Sequence, residues 1–189
     1  MRNHRLGYFS SYDRGLDILL DLWPKIISKF PDAKLDCAYG WNLFIAGYKD
    51  NPERMSWMEM MKKKMTQKGV KEHGRLGKKE LALLRKECGI WAYPTWFAEI
   101  NCISALETQA DGLVPVTMDD FALSETVGSG FKIKGDIYEK DVQEKWLEAL
   151  FKVMGDHKLW IAESEKARSF VKNYSWDTIA EKWYEQFKT

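Results

Sequence analysis

Two glutamates, Glu99 and Glu107, bracket the stretch EINCISALE, with seven mostly apolar residues between them. An ionised carboxylate only accepts hydrogen bonds, so it suits hydroxyl donors, and a diol can give it two at once. Eight residues of helix rise at most about 12 Å. Two carboxylates so spaced are expected to serve a ligand rather than the fold, holding hydroxyl groups at both ends of a molecule with negative charge in its middle. The anion would rest on the helix start, near Asn101 or Cys102, where the first amides lack internal partners and carry partial positive charge. Taken alone, such a pair is more simply a capping carboxylate near the helix start and an exposed one in mid-helix.

The elements around the pair give it a context. GIWAYP (89–94) is a short apolar run closed by proline, as a central parallel strand should be. The loop TWFAEIN (95–101) therefore sits at a strand's carboxyl end, and the helix after it runs to about Asp111, with Gly112 as its stop. The same alternation pervades the chain. Strands are expected at RLGYF (5–9), KLDCAY (34–39), VKEHG (70–74), LVPVT (113–117) and FKIKG (131–135). Helices are expected at 14–30, where Leu16, Leu19, Leu20, Trp23 and Ile27 recur at helical spacing, and at 51–66, whose Met and Trp stripe reads as core. Others are expected at 78–87, about 119–126, about 138–154, 158–173 and 175–187. This pattern predicts a single α/β domain over 1–189, a Rossmann-like parallel sheet flanked by helices. Such sheets bind ligands outside the carboxyl ends of their strands, near the point where strand order reverses.

Composition excludes several classes. Of 189 residues, 45% are hydrophobic and 14% aromatic, ample for a core and unlike disorder. Lys plus Arg (29) nearly cancels Asp plus Glu (28), so no basic field recruits nucleic acid. No apolar run approaches the roughly 20 residues of a membrane helix, and MRNHRLGYFSS is too polar for a signal peptide. Cys37, Cys88 and Cys102 follow no ligand spacing, which fits a reducing, cytoplasmic setting without a zinc site. Asp119-Asp120 reads as a helix N-cap rather than a metal-binding pair. Cys102, at a helix start, is expected to have a lowered thiol pKa, but no histidine nearby in sequence would make it a nucleophile.

The run PTWFAEINCISALETQADGLVPV (94–116) resembles the donor-binding signature of retaining glycosyltransferases with the GT-B fold, the group of glycogen synthase, sucrose synthase and many lipopolysaccharide mannosyl- and glucosyltransferases. Pro94-Thr95, the Glu99/Glu107 pair, Ala110, Gly112 and Pro115-Val116 match together. GVKEHGRLGKKELALLRKECGIWAYP (69–94) and YSWDTIAEKWYEQF (174–187) extend the likeness to nearly the whole chain, which would be the C-terminal half of such an enzyme.

The resemblance implies a UDP- or GDP-sugar as substrate, no cofactor, metal-independent transfer with retention, and an N-terminal acceptor domain or subunit as partner. It assigns Glu107 to the ribose hydroxyls and Glu99 to the donor sugar. It sets the amides of Asn101, Cys102 and Ile103 against the distal phosphate and Gly74, Arg75 and Leu76 near the base. Arg14, before Gly15, matches a cation that grips the diphosphate. The chain departs from the family at Ser11, where a second cation, an arginine, would stand; Arg14 alone, Arg75 or Lys78 would have to serve. It departs again at Phe121-Ala122, where relatives often have paired glycines. A module that binds nucleotide sugar without catalysis is the alternative. An epimerase-like Rossmann domain is disfavoured by the absence of G-x-G-x-x-G after the first strand.

Overall fold

The computed structural model describes residues 2–188. The apolar runs become six parallel strands: β1 (Arg5–Tyr8), β2 (Lys34–Cys37), β3 (Val70–Glu72), β4 (Ile90–Tyr93), β5 (Val114–Met118) and β6 (Phe131–Ile133). β4 and β5 are buried along their whole length, as strands covered on both faces must be. The order is β3-β2-β1-β4-β5-β6. From β1 the chain winds outward through β2 and β3; it then returns to the other side of β1 and winds outward again through β4, β5 and β6. Neighbouring strands β1 and β4 thus send their outgoing loops to opposite sides, which opens a crevice between them.

Helices cover the sheet. α1 (Leu16–Lys29) buries Leu16, Leu19, Leu20, Trp23 and Ile26, and it contacts α3 (Pro52–Lys64) and α7 (Lys140–Gly155). The methionine stripe of α3 is largely core, since Met58 and Met61 are buried, although Met60 is exposed. α4 (Lys78–Glu87) leads into β4, and α5 (Ile103–Ala110) packs on β5 and α8 (His157–Val171). The stop at Gly112 is where it was expected, in a left-handed conformation (φ +80°) that glycine adopts freely. α9 (Trp176–Phe187) buries none of its residues and leaves Trp176 86% exposed.

Two expectations need correction. α2 (Asn42–Tyr48), a helix of seven residues, was not anticipated. The helix expected over 119–126 is only α6 (Leu123–Thr126), and its N-cap is Ala122. Asp120 Oδ1 accepts from the Phe121 amide (2.9 Å), and Asp119 faces Lys132 and Lys134, so neither aspartate caps α6.

One buried acid ties three strands together. Asp36 on β2 accepts from Arg5 Nε on β1 and from His73 Nε2 just past β3, each at 2.6 Å. Burial by itself would raise the Asp36 carboxyl, but the hydrogen bonds and charges of Arg5 and His73 outweigh it and hold the group below its ordinary value.

Candidate functional site

The crevice at the strand-order reversal is walled by the loops after β1 and β4. The first carries Arg14 and the second Glu99. What brings them together is Gly15, at φ +106° and against the other loop: a Cβ there would lie 2.2 Å from the Pro94 carbonyl oxygen. Only glycine permits this approach. Thr95, itself buried, stiffens the second loop, its Oγ1 accepting from the Phe97 amide at 3.0 Å.

Glu99 is 9% exposed. Its Oε1 accepts from the Tyr93 hydroxyl at 2.7 Å and faces Arg14 Nη1 at 3.4 Å. Tyr93 also meets the Ser10 hydroxyl at 3.1 Å, and burial first, then the neighbouring Glu99 charge, raises its phenol above the ordinary value. The Arg14 guanidinium lies 3.7 Å over the Phe97 ring and is a third exposed, so it is oriented yet open to a ligand. Arg14 and Glu99, assigned to one site from sequence, are therefore neighbours.

Glu107 is placed differently. Its side chain is 50% exposed, and its Oε2 accepts from Arg85 Nη1 at 2.8 Å, while Arg85 Nε bonds Asp111 at 2.7 Å. Arg85 is buried, and a buried guanidinium must find carboxylates. The expectation that neither carboxylate serves the fold is therefore corrected: Glu107 pairs with Arg85, and Glu99 receives Tyr93. The Glu107 carboxylate still has lone pairs for further donors, since an ionised acid offers about four acceptor positions.

The helix start is as expected in position. Cys102 is the N-cap of α5, with Asn101 and Ile103 exposed on either side. The Ile103 amide is partly engaged, donating to the Asn101 carbonyl at 3.2 Å. The expected drop in the Cys102 thiol pKa is corrected. Burial, then the Glu99 charge, pushes it up to about 12, against the opposing pull of the Ala105 and Ser104 amides and Arg14.

Ser11 stands beside Arg14 on an open cleft of about 560 Å³, and its hydroxyl donates to Asp13 Oδ1 at 2.7 Å. Arg75 and Lys78 do not line that cleft; they are exposed beyond β3, at the far edge of the sheet. The cation that does join Arg14 there is Arg54, which sequence reasoning missed. It projects from the first turn of α3, pairs with Asp13 Oδ2 at 2.7 Å and lies 4.4 Å over the Tyr48 ring. The signal available was Asn51-Pro52, a cap and helix start that fix Arg54 at the sheet's carboxyl edge; the Asn51 side chain accepts from the Arg54 amide at 3.1 Å. At Phe121, where relatives were expected to have glycine, the backbone keeps a glycine-like conformation at φ +46°. A bulky residue there costs about 1–2 kcal/mol. Among the described residues no group of three or more His, Cys, Asp or Glu could hold a metal ion.

A parallel sheet of this order, flanked by helices, is a Rossmann-like α/β fold, here with a cation and an acid meeting at its reversal point. The family model for glycosyl transferases group 1 matches residues 10–175, and the chain belongs to that family. Solved structures agree on the fold. A sucrose-phosphate synthase from Thermosynechococcus elongatus superposes with a TM-score of 0.74 at 15% identity, over 97% of this chain and 45% of its own. HepE of Anabaena, in complex with UDP-glucose, gives 0.73 at 18%, over 98% and 49%. The pneumococcal O-GlcNAc transferase GtfA, in complex with UDP and GlcNAc, gives 0.73 at 12%, over 99% and 36%. The chain thus spans between about a third and a half of the length of these similar structures. No curated protein matches the sequence.

Proposed function

We propose that this chain is the donor-binding half of a retaining glycosyltransferase that takes a UDP- or GDP-linked hexose without a metal, its acceptor supplied by a further N-terminal domain or subunit. The observation that carries the reading is the meeting of Arg14 and Glu99 across the crevice between β1 and β4. The diphosphate would lie at the start of α5 beside Arg14, with Arg54 as the second cation. The hexose would reach Glu99 and the ribose Glu107, which would keep Arg85 as its partner. As the glycosidic bond breaks, negative charge grows on the leaving diphosphate, and donors already aimed at it lower the barrier. The three buried free thiols fit a reducing, cytoplasmic setting. Ser11 on the same cleft, where the resemblance sets a second cation, favours a second reading: a module that binds sugar nucleotide without transferring it.

Calorimetric titration with a panel of UDP- and GDP-sugars tests the proposal. Binding to wild type should weaken about tenfold in Glu107→Ala, roughly 1.4 kcal/mol. Arg14→Ala should weaken nucleoside diphosphate more than nucleoside. Equal loss of both would remove the phosphate role, and failure of wild type to bind any donor would remove the proposal.

A further inference from the structure

Trp96 and Phe97 form a wall between the Arg14 cleft and a second open cleft of about 670 Å³, over the carboxyl ends of β5 and β6. Neither Arg14, Glu99 nor Glu107 lines this second cleft. Three aromatic side chains stand on it well exposed: Trp96 at 49%, Phe121 and Tyr138 each at 56%. Among them Asp120 and Asp136 present carboxylates held in place from behind. Asp120 Oδ1 accepts from the Phe121 amide and Asp136 Oδ1 from the Tyr138 amide, each at 2.9 Å. Asp119, also on the cleft, faces Lys132 and Lys134 at 3.7 and 3.8 Å.

Flat apolar rings alternating with fixed acceptors match one kind of ligand chemistry. A pyranose has a face of C–H groups that stacks on an aromatic ring and a rim of hydroxyls that donate to carboxylates. Lys134 also lines the cleft and offsets Asp119, which leaves Asp120 and Asp136 to disfavour an anion. Phe121 holds its ring at the cleft only by keeping a left-handed backbone that glycine would adopt without strain.

We infer that this cleft is a second carbohydrate subsite, which takes a neutral pyranoside with its face on the rings of Trp96, Phe121 and Tyr138 and its hydroxyls on Asp120 and Asp136. Its place on the acceptor side of a transfer rests on the proposed function; the binding itself does not.

Saturation-transfer NMR with methyl α-glucopyranoside, methyl α-mannopyranoside and methyl N-acetyl-β-glucosaminide, on the full chain, tests it. At least one glycoside should receive saturation from wild type. Its affinity should fall about fivefold in Phe121→Gly and in Tyr138→Ala, the loss of one stacking ring. Glycine is unstrained at position 121, so an unfolding midpoint that does not fall separates lost binding from lost folding. UDP- and GDP-sugar titrations on the same samples should be unaffected by either variant but weakened by Arg14→Ala. No transfer to any of the three glycosides, or full transfer in both variants, overturns the subsite. Glycoside binding by a wild type that binds no donor would sink the donor reading and leave the subsite standing.

Discussion

Arg85 shows why single residues are only half legible in a sequence. The spacing of Glu99 and Glu107 was plain, and so was the chemistry of two acids at that distance. That Glu107 would neutralise a buried arginine 22 positions earlier was not, because the pairing exists only once α4 lies beside α5. Arg54 was half hidden for the same reason: Asn51-Pro52 marks the helix start that carries it, but nothing local says that this turn ends beside Ser11 and Arg14. Cys102 is the opposite case. The helix start was visible, but its burial was not, and burial decides the pKa. With the thiol at about 12, little thiolate exists near neutrality. Native protein at about pH 8 should react with iodoacetamide at Cys102 far more slowly than the same protein in denaturant, as read by mass spectrometry of the labelled peptide. Rapid native labelling would contradict the buried placement.

Elements were easier to read where their pattern was long or their ends were punctuated. GIWAYP gave β4 because an unbroken apolar run closed by proline has few other uses, and Gly112 marked the end of α5 by its need for positive φ. NLFIAGY, now α2, gave no such signal: seven residues are too few to show a helical period. Asp36 on β2 could not have been singled out, since its partners come from two other segments. Its folded pKa lies below the ordinary 3.8, so its stabilising contribution is complete above that value and is lost as pH falls through the lower folded one. Asp36→Ala should lower stability near pH 7 by about 3 kcal/mol, because Arg5 and His73 then lose a buried partner. Chemical denaturation should show the gap to wild type narrowing in acid well below pH 3.8; a constant gap would mean that the clamp contributes no ionic term.

At the scale of the whole molecule, alternation predicted the parallel sheet, but the strand order, and with it the position of the crevice, emerges only from tertiary pairing. The sheet and the helices packed on it hold the core, whereas α9 stands apart with no buried residue. Ending the chain after Ser175 should therefore leave the thermal midpoint and its cooperativity nearly unchanged in calorimetry. A drop of many degrees would show that Trp176, Trp183 and Phe187 support the core after all.

The near-contact of Gly15 with Pro94 has a dynamic corollary. Two segments that meet without a side chain between them have no cushion, so a displacement of one is passed to the other undamped. Whatever seizes the arginine next to that glycine should quiet the motion of Thr95 through Glu99 too, and amide exchange there should slow even for a ligand too short to touch it.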